Sequence, residues 1–198
     1  MQLRLRILVW GYILLWMSSC ADPVYVPKPR TFPRINFPEK NYQNFSNTDC
    51  PFDCEIPAYS RVVKDTLFFD EKPSNECWFT LYLDSLDAGI YCTYSPIKSK
   101  ADMSKCINDA FLLARKHQRV ANYLDEIPFR KSSSLSGMLF DMEGHAASPV
   151  QFYVTDSAKH FLRGSLYFHT QTRPDSLAPL ALFLKEDIIH LMNTIQWK

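Results

Sequence analysis

Hydrophobic and polar positions along this chain change their period several times, and each period predicts a different element. Alternation at every second position predicts strands at residues 77–83 and 88–94, each with one apolar face. From Asp102 the apolar residues recur at spacings of three and four or their sums. This predicts a helix of about six turns, with an apolar face made of Met103, Ile107, Ala110, Ala114, Ala121 and Leu124.

Shorter apolar runs predict the other elements. Val62-Val63 and Leu67-Phe68-Phe69 predict a short hairpin, and four further strands are predicted at 127–129, 135–142, 148–155 and 161–168. The turns between them contain Glu143-Gly144-His145 and Asp156-Ser157-Ala158-Lys159. Residues 180–197 predict a final helix or helix pair whose core face is Ile188, Leu191, Met192 and Ile195.

This order of elements predicts an α+β fold in which helices cover an antiparallel β-sheet. The order resembles the PsbP-like α-β-α sandwich, which is a likeness of fold alone. We expect one domain at residues 46–198, because about 178 residues after the signal described next suffice for a single core.

The amino terminus has the pattern of a secretory signal. Arg4 and Arg6 precede an apolar run at residues 7–17, which is about 11 residues and well short of the ~20 that span a bilayer. Met17-Ser18-Ser19-Cys20 resembles a bacterial lipobox, so we predict a signal peptide at 1–19 and lipidation of Cys20. The alternative is an ordinary signal peptide with a chance cysteine. Several acyl chains would hold the protein stably on a membrane, and Ala21, which is not acidic, favours the outer membrane facing the periplasm.

Residues 20–45 predict an extended tether, because Pro23, Pro27, Pro29, Pro33 and Pro38 favour a polyproline II path. Aromatic side chains alternate there with the basic residues Lys28, Arg30 and Arg34, which a plain spacer does not need. Two interpretations follow: the segment lies across its own domain, or it docks on a partner protein.

Composition excludes several classes of function. The formal net charge of +1 argues against nucleic-acid binding, which depends on neutralising phosphates. The sequence has no G-x-G-x-x-G motif, no P-loop and no H-E-x-x-H. We therefore expect no nucleotide site and no metal site of these types.

Five cysteines follow Cys20, and their odd number leaves at least one outside any intramolecular disulfide. Cys92 lies on the apolar face of a predicted strand, which is typical of a buried thiol. Cys50 and Cys54 are the better disulfide candidates, bonded to each other or to Cys77 or Cys106.

The candidate catalytic residues have simpler explanations. Asp156, Ser157 and His160 supply the residue types of a hydrolase, but their closeness in sequence indicates a turn closed by local bonds. His117 completes the helix face and is typical of a satisfied core histidine. We attribute Glu186-Asp187 to the favourable helix dipole at the start of the last helix, and expect Asp141 and Glu143 to face water. His160, Phe161 and Arg163 have the composition of a partner-binding surface.

Several segments together resemble the gliding-motility lipoprotein family GldD of Bacteroidota. They run from the lipobox to Lys198, and they include Pro27-Lys28-Pro29-Arg30, Phe32-Pro33-Arg34-Ile35, Cys50-Pro51-Phe52, Cys77-Trp78, Lys116-His117, Ala147-Ser148-Pro149-Val150-Gln151-Phe152, Thr155-Asp156-Ser157, His160-Phe161-Leu162-Arg163-Gly164, Asp175-Ser176-Leu177-Ala178-Pro179, Asp187-Ile188-Ile189-His190 and Thr194.

The resemblance implies a non-catalytic envelope lipoprotein required for gliding and for the associated type IX secretion apparatus. It would act by binding or stabilising other envelope proteins, with no cofactor and no small-molecule substrate. One alternative is a periplasmic small-ligand-binding module of PsbP-like fold, which needs an apolar pocket between sheet and helix. Another is an envelope hydrolase, which needs a cleft that joins His145, His160 or His169 to a nucleophile.

Overall fold

The computed structural model describes residues 34–64, 75–171 and 173–198. Within these ranges the order of elements is β1 (Tyr42–Ser46), β2 (Phe52–Pro57), β3 (Arg61–Lys64), β4 (Trp78–Leu83), β5 (Ala88–Pro96), α1 (Lys100–Gln118), β6 (Ala121–Ser132), β7 (Leu135–Gly144), β8 (Val150–Thr155), β9 (His160–Phe168), α2 (Pro174–Thr194) and β10 (Gln196–Trp197). The predicted signal peptide, Cys20, Lys28, Arg30 and the predicted strand at Leu67-Phe68-Phe69 lie outside the described residues.

Seven of the strands form one antiparallel sheet in the order β3-β4-β5-β9-β8-β7-β6. All six residues of β8 are buried, because this inner strand is covered on both faces. The edge strand β6 is exposed along most of its length. The predicted α+β fold, an antiparallel sheet covered by helices, is confirmed.

A second, three-stranded sheet has the order β1-β2-β10. Its middle strand β2 pairs with β1, which comes early in the domain, and with β10 at the end of the chain. Alternate residues of β2 are fully buried, and Phe52 packs against Phe45, Phe79 and Trp197. The small sheet therefore closes one side of the main core.

The two faces of the large sheet carry different layers. Leu184, Ile188, Leu191 and Met192 of α2 are buried in the larger core, together with β2 and the central strands. On the other face, Ala110 and Ala114 are the buried residues of α1 and contact a smaller core around Phe140 and Tyr153.

One glycine is required by close packing at the centre of the sheet. A Cβ added to Gly164 on β9 would lie 2.2 Å from a ring carbon of Phe152 on the neighbouring β8. A side chain at this position would displace the fully buried Phe152 ring, so the strand depends on glycine here.

Both helix predictions had wrong boundaries. The helix α1 ends at Gln118, and Ala121 and Leu124 belong to β6. The two residues fit the helical period because they reach the same small core from the returning strand. The helix α2 begins earlier than predicted, at Pro174, where proline is tolerated because its missing N–H has no intrahelical acceptor, and it continues through Pro179.

The folded unit also begins earlier than residue 46. Residues 33–198 form one compact unit, and β1 begins at Tyr42, inside the segment predicted to be a tether. The proline-rich spacing concealed this strand, since only Phe45 of its five residues is buried.

Candidate functional site

The described residues before β1 lie across α2. We call residues 34–41 the strap. The Phe37 ring packs at a tilt of 31° against the Phe183 ring of α2 with centroids 4.6 Å apart, and Lys40 Nζ lies 3.6 Å from the centroid of the Phe183 ring. Lys40 Nζ also donates to the Phe183 carbonyl oxygen at 2.6 Å. The described part of the proline-rich segment therefore agrees with the first interpretation, in which the segment lies across its own domain.

The strap ends at a buried carboxylate. Asp187, in the middle of α2, is 1% exposed, and its Oδ1 accepts from Lys40 Nζ at 2.6 Å and from the Tyr42 hydroxyl at 3.0 Å. Its Oδ2 accepts from the Tyr59 hydroxyl. We call Lys40, Tyr42, Tyr59 and Asp187 the Asp187 cluster. It holds the strap, β1 and the segment after β2 on one helix.

The electrostatics of the cluster follow from burial beside an anion. Desolvation and the hydrogen bond to Asp187 raise the pKa of Tyr42 to about 12. Burial and the Asp187 carboxylate also raise the pKa of Tyr59. Both phenols therefore stay protonated at neutral pH and act as donors. With both carboxylate oxygens occupied by donors of the same chain, Asp187 is suited to fixing structure and is not placed to take a proton from a substrate.

A second polar link extends the cluster toward β2. His190 Nε2 lies 2.6 Å from Glu55 Oε2, and the His190 ring stacks on Tyr42 with centroids 3.6 Å apart. Thr194 Oγ1 accepts from the Glu55 backbone N–H at 3.0 Å. His190 and Thr194, in the last two turns of α2, therefore link this helix to both β1 and β2.

The helix-dipole explanation of Asp187 is wrong. Because α2 begins at Pro174, Asp187 lies far from the first turn, where dipole effects act. The sequence did contain the signal: Asp187 lies three residues after Leu184 and four before Leu191, on the face that the structure buries. A carboxylate on that face requires partners from elsewhere in the chain.

An open groove lies between the first half of α2 and the end of β7. Its volume is about 500 Å³, and its lining is mostly apolar, with Met142, Ala146, Leu177, Ala181 and Leu182 among its residues. The ion pair between Lys185 and Asp141, with Nζ and Oδ2 2.8 Å apart, also lines it. Asp141 was expected to face water and instead faces α2, because the helix covers that side of the strand; Glu143 is exposed.

The structure buries Phe161 of the predicted partner surface on β9, and its neighbours His160 and Arg163 are half-buried and bonded within the chain. Phe161 is 3% exposed and stacks on Tyr153, and Arg163 donates to Gln151 Oε1 at 3.3 Å and to Ser165 Oγ at 3.0 Å. The His160 ring stacks on Trp197 with centroids 5.0 Å apart, and its Nδ1 lies 2.8 Å from the Tyr94 hydroxyl. Aromatic and arginine residues suit interfaces, but here the same chain uses them for packing. Arg34, from the other part of the predicted surface, is exposed.

The candidate hydrolase residues form a turn. Asp156 Oδ1 accepts from the backbone N–H groups of Ala158, Lys159 and His160 at 2.8–2.9 Å. Burial acts to raise the pKa of Asp156, but these three donors together lower it. The local-turn explanation of Asp156 is confirmed, and this carboxylate is occupied by its own loop. His160 and His169 lie at opposite ends of β9, so they do not converge on one nucleophile.

The cysteine alternatives resolve into one bridge. Cys50 and Cys77 form a disulfide, whereas Cys54 and Cys106 carry free thiols. Burial, followed by the neighbouring carboxylates, raises the pKa of Cys54 to about 12, so this thiol is unreactive at neutral pH. Cys92 is fully buried on the sheet. Cys54 was a plausible partner by spacing, but its β-strand position directs it into the core.

Two features are absent from the part of the chain that the structure describes. No group of three or more His, Cys, Asp or Glu side chains is arranged there as metal ligands. No helix among the described residues is long and apolar enough to cross a membrane.

Comparisons with known proteins give two likenesses. The sequence matches the family model for the gliding motility lipoprotein GldD over residues 22–197. The structure is similar to the solution structure of cyanobacterial PsbP (CyanoP) from Synechocystis sp. PCC 6803, with 11% identity and a TM-score of 0.44, over 92% of this chain and 99% of that one. A comparison with curated proteins finds no match.

Proposed function

Since this chain belongs to the family of gliding motility lipoproteins GldD, we propose that it is a non-catalytic envelope lipoprotein required for gliding and for the associated type IX secretion apparatus. It acts by binding or stabilising other envelope components. Family membership supports the motility role. The internal saturation of Asp187 and Asp156 supports a role without catalysis.

The proposed anchor is a lipidated Cys20, in the outer membrane and facing the periplasm. The observation that carries the proposal is the docking of the strap on α2 through Lys40 and Asp187. Because the first contact of the strap with α2 is at Phe37, residues 21–36 connect the lipid to that contact, and a fully extended chain of this length spans at most about 58 Å. The domain would therefore work close to the membrane, within reach of other membrane-bound components.

The experiment is complementation of a deletion strain with the full-length protein and three variants. Wild type should restore colony spreading and secretion, and Cys20→Ala should fail because its anchor is lost. Ser157→Ala should restore both, since Ser157 lies in an exposed turn and has no catalytic part. Immunoblots must show equal protein levels. Loss of motility in Ser157→Ala at normal abundance would contradict the non-catalytic assignment.

Partner binding is tested by purifying tagged full-length protein from gently solubilised envelopes, with Cys20→Ala as the control. We expect stoichiometric recovery of motility or secretion components with wild type and their loss with the control. The third complementation variant, Asp187→Asn, releases the strap while keeping the anchor. This variant should reduce motility if function depends on a short connection between the lipid anchor and the domain. Recovery of the protein alone after crosslinking would oppose the partner-binding role.

One observation favours a second candidate, a small-ligand-binding module: the apolar groove of about 500 Å³ beside α2. Its volume falls in the range of small-molecule sites. Native mass spectrometry of the full-length protein, released from membranes, should show a bound apolar molecule if this candidate is right. Leu182→Asp, on the groove wall, should then abolish the bound mass, whereas Leu112→Asp on the exposed face of α1 should preserve it.

A further inference from the structure

The edge strand β6 exposes backbone and apolar side chains together. It is the last strand in the order of the seven-stranded sheet, and in the described part of the chain its pairing is with β7. Tyr123 and Ile127 are each 42% exposed. Edge strands of this length present a row of N–H and C=O groups that another strand can pair with.

Charges along β6 are separated by sign. Asp125 and Glu126 precede Pro128, and Arg130 and Lys131 follow it. Charged residues and proline ordinarily prevent an edge from pairing with arbitrary strands. An antiparallel partner whose charges run in the same order is different, because it brings acidic residues opposite basic ones.

We propose that β6 pairs with β6 of a second copy of this chain, antiparallel and centred on Pro128, to form a twofold dimer. In this register Asp125 faces Lys131, Glu126 faces Arg130, and Ile127 faces Phe129, with each pair occurring twice. A twofold interface requires such self-complementarity, since the same patch must serve both copies. A shift of one residue turns side chains to the opposite faces and breaks every one of these pairs.

The faces of the sheet agree with this register. Asp125 and Ile127 lie opposite Asp141 and Leu139 of β7, on the face that α2 covers. Directly opposed residues of antiparallel strands share a face. The dimer would therefore place Ile127 and Phe129 of both copies in one apolar seam. Leu182 and Ile189 of α2, which are 59% and 38% exposed, lie on the same side of the sheet.

The contacts that these charges make within the chain leave them capable of further pairing. Lys131 Nζ donates to the Asn193 carbonyl oxygen, and an ammonium has two further donors. Glu126 Oε1 lies 3.5 Å from Arg115, which leaves its second oxygen available. These charged groups can therefore also pair with a second strand whose charges run in the same order along the chain. Anchored copies in one membrane would also meet at high local concentration.

The first test is disulfide trapping of the full-length protein in native envelopes. Pro128→Cys places a thiol at the symmetry centre, where two copies bring it together. Val62→Cys is the matched control, because Val62 is 40% exposed on β3 at the opposite edge of the same sheet. After mild oxidation we expect a covalent homodimer at least about fivefold more abundant for Pro128→Cys than for the control or the unmodified chain.

The second test changes charge in the Pro128→Cys background. Arg130→Glu and Glu126→Arg should each reduce trapping at least about fivefold, because opposite-charge cross-strand pairs become like-charge pairs. The double variant should restore it by exchanging the signs. Thermal unfolding of each variant checks the fold, since both residues are at the exposed edge.

Equal trapping of Pro128→Cys and Val62→Cys would overturn the proposal. Trapping that is unchanged by charge reversal would also overturn it. An adduct formed only with a different protein would do so as well, because β6 would then pair with a strand of that protein. The readout is the oligomeric state of the chain, so failure here leaves the motility and secretion phenotypes of the proposed function untouched.

Discussion

The helices that cover the two faces of the seven-stranded sheet bury side chains of different size. On one face, α2 and the three-stranded sheet bury large residues such as Leu184 and Ile188 completely, and they add a disulfide and the Asp187 cluster. On the other face, α1 buries only two alanines fully. Leu112 of α1 and Val120 just after it are more than half exposed. The difference indicates that global stability resides mainly on the α2 face.

Matched isoleucine truncations on the two helices sharpen this comparison most. Ile188→Ala removes a side chain that is 0% exposed, and we expect a loss of about 4 kcal/mol in the free energy of unfolding. Ile107→Ala on α1 removes a partly buried side chain and should cost about 1.5 kcal/mol. Urea unfolding followed by circular dichroism measures both. Equal losses would show that the two faces contribute alike.

The disulfide is the next largest contribution to the α2 face. Cys50 and Cys77 are 27 residues apart, and closing a loop of this length stabilises a protein by roughly 3.5 kcal/mol in the chain-entropy model. The double variant Cys50→Ser/Cys77→Ser should lose about this much. Cys106→Ser on α1 is the control and should change the unfolding free energy by less than about 1 kcal/mol. An unchanged free energy of unfolding in the double variant would show that the disulfide does not stabilise the α2 face.

The Asp187 cluster makes a smaller contribution with a local readout. Asp187→Asn removes the nearer of the two carboxylates that pair with Lys40 and weakens the acceptors for two phenols, so we expect a loss of about 2 kcal/mol. Hydrogen exchange of β1 should accelerate, because the strap is released. Glu186→Gln changes the neighbouring, 65% exposed carboxylate and should have little effect on either measurement. Unchanged hydrogen exchange in β1 would show that Asp187 does not hold the strap in place.

The smallest expected effect belongs to the α1 face and depends on pH. Burial and then the Arg163 guanidinium lower the pKa of His117 below its usual 6.5. The unfolded chain therefore binds a proton where the folded chain does not, so stability is complete above pH 6.5 and falls as the pH drops below it. The effect should be smaller than that of Asp187→Asn, because His117 is only partly buried. His117→Gln should flatten the profile of unfolding free energy against pH, and an unchanged profile would contradict this assignment.

Patterns with a single strong period could be predicted from the sequence. Alternation located β4 and β5, and the helical spacing of Met103 to Ala114 located α1. The edge strand β6 lacks alternation because both of its faces are largely exposed, so its first residues were assigned to the helix. The strand β1 was missed because its stability comes from pairing with β2, which no local pattern encodes.

The polar site was harder to predict than the fold, for a physical reason. Asp187 is meaningful only with Lys40, which lies 147 positions away in sequence, and with Tyr42 and Tyr59. A single sequence shows a carboxylate on a buried helix face but does not name its donors. The burial of Phe161 was hard to predict for the opposite reason: residues typical of interfaces also suit an aromatic core, as Phe161 on Tyr153 shows.

The pairing of β2 has a consequence for the timing of folding. This strand is completed on one side by β1 and on the other by β10, which contains the next-to-last residue of the chain. During synthesis β2 emerges early, yet its second neighbour and the helix that covers it emerge last. The larger core therefore cannot close until α2 and β10 have both been synthesised, and contacts so distant in sequence form slowly.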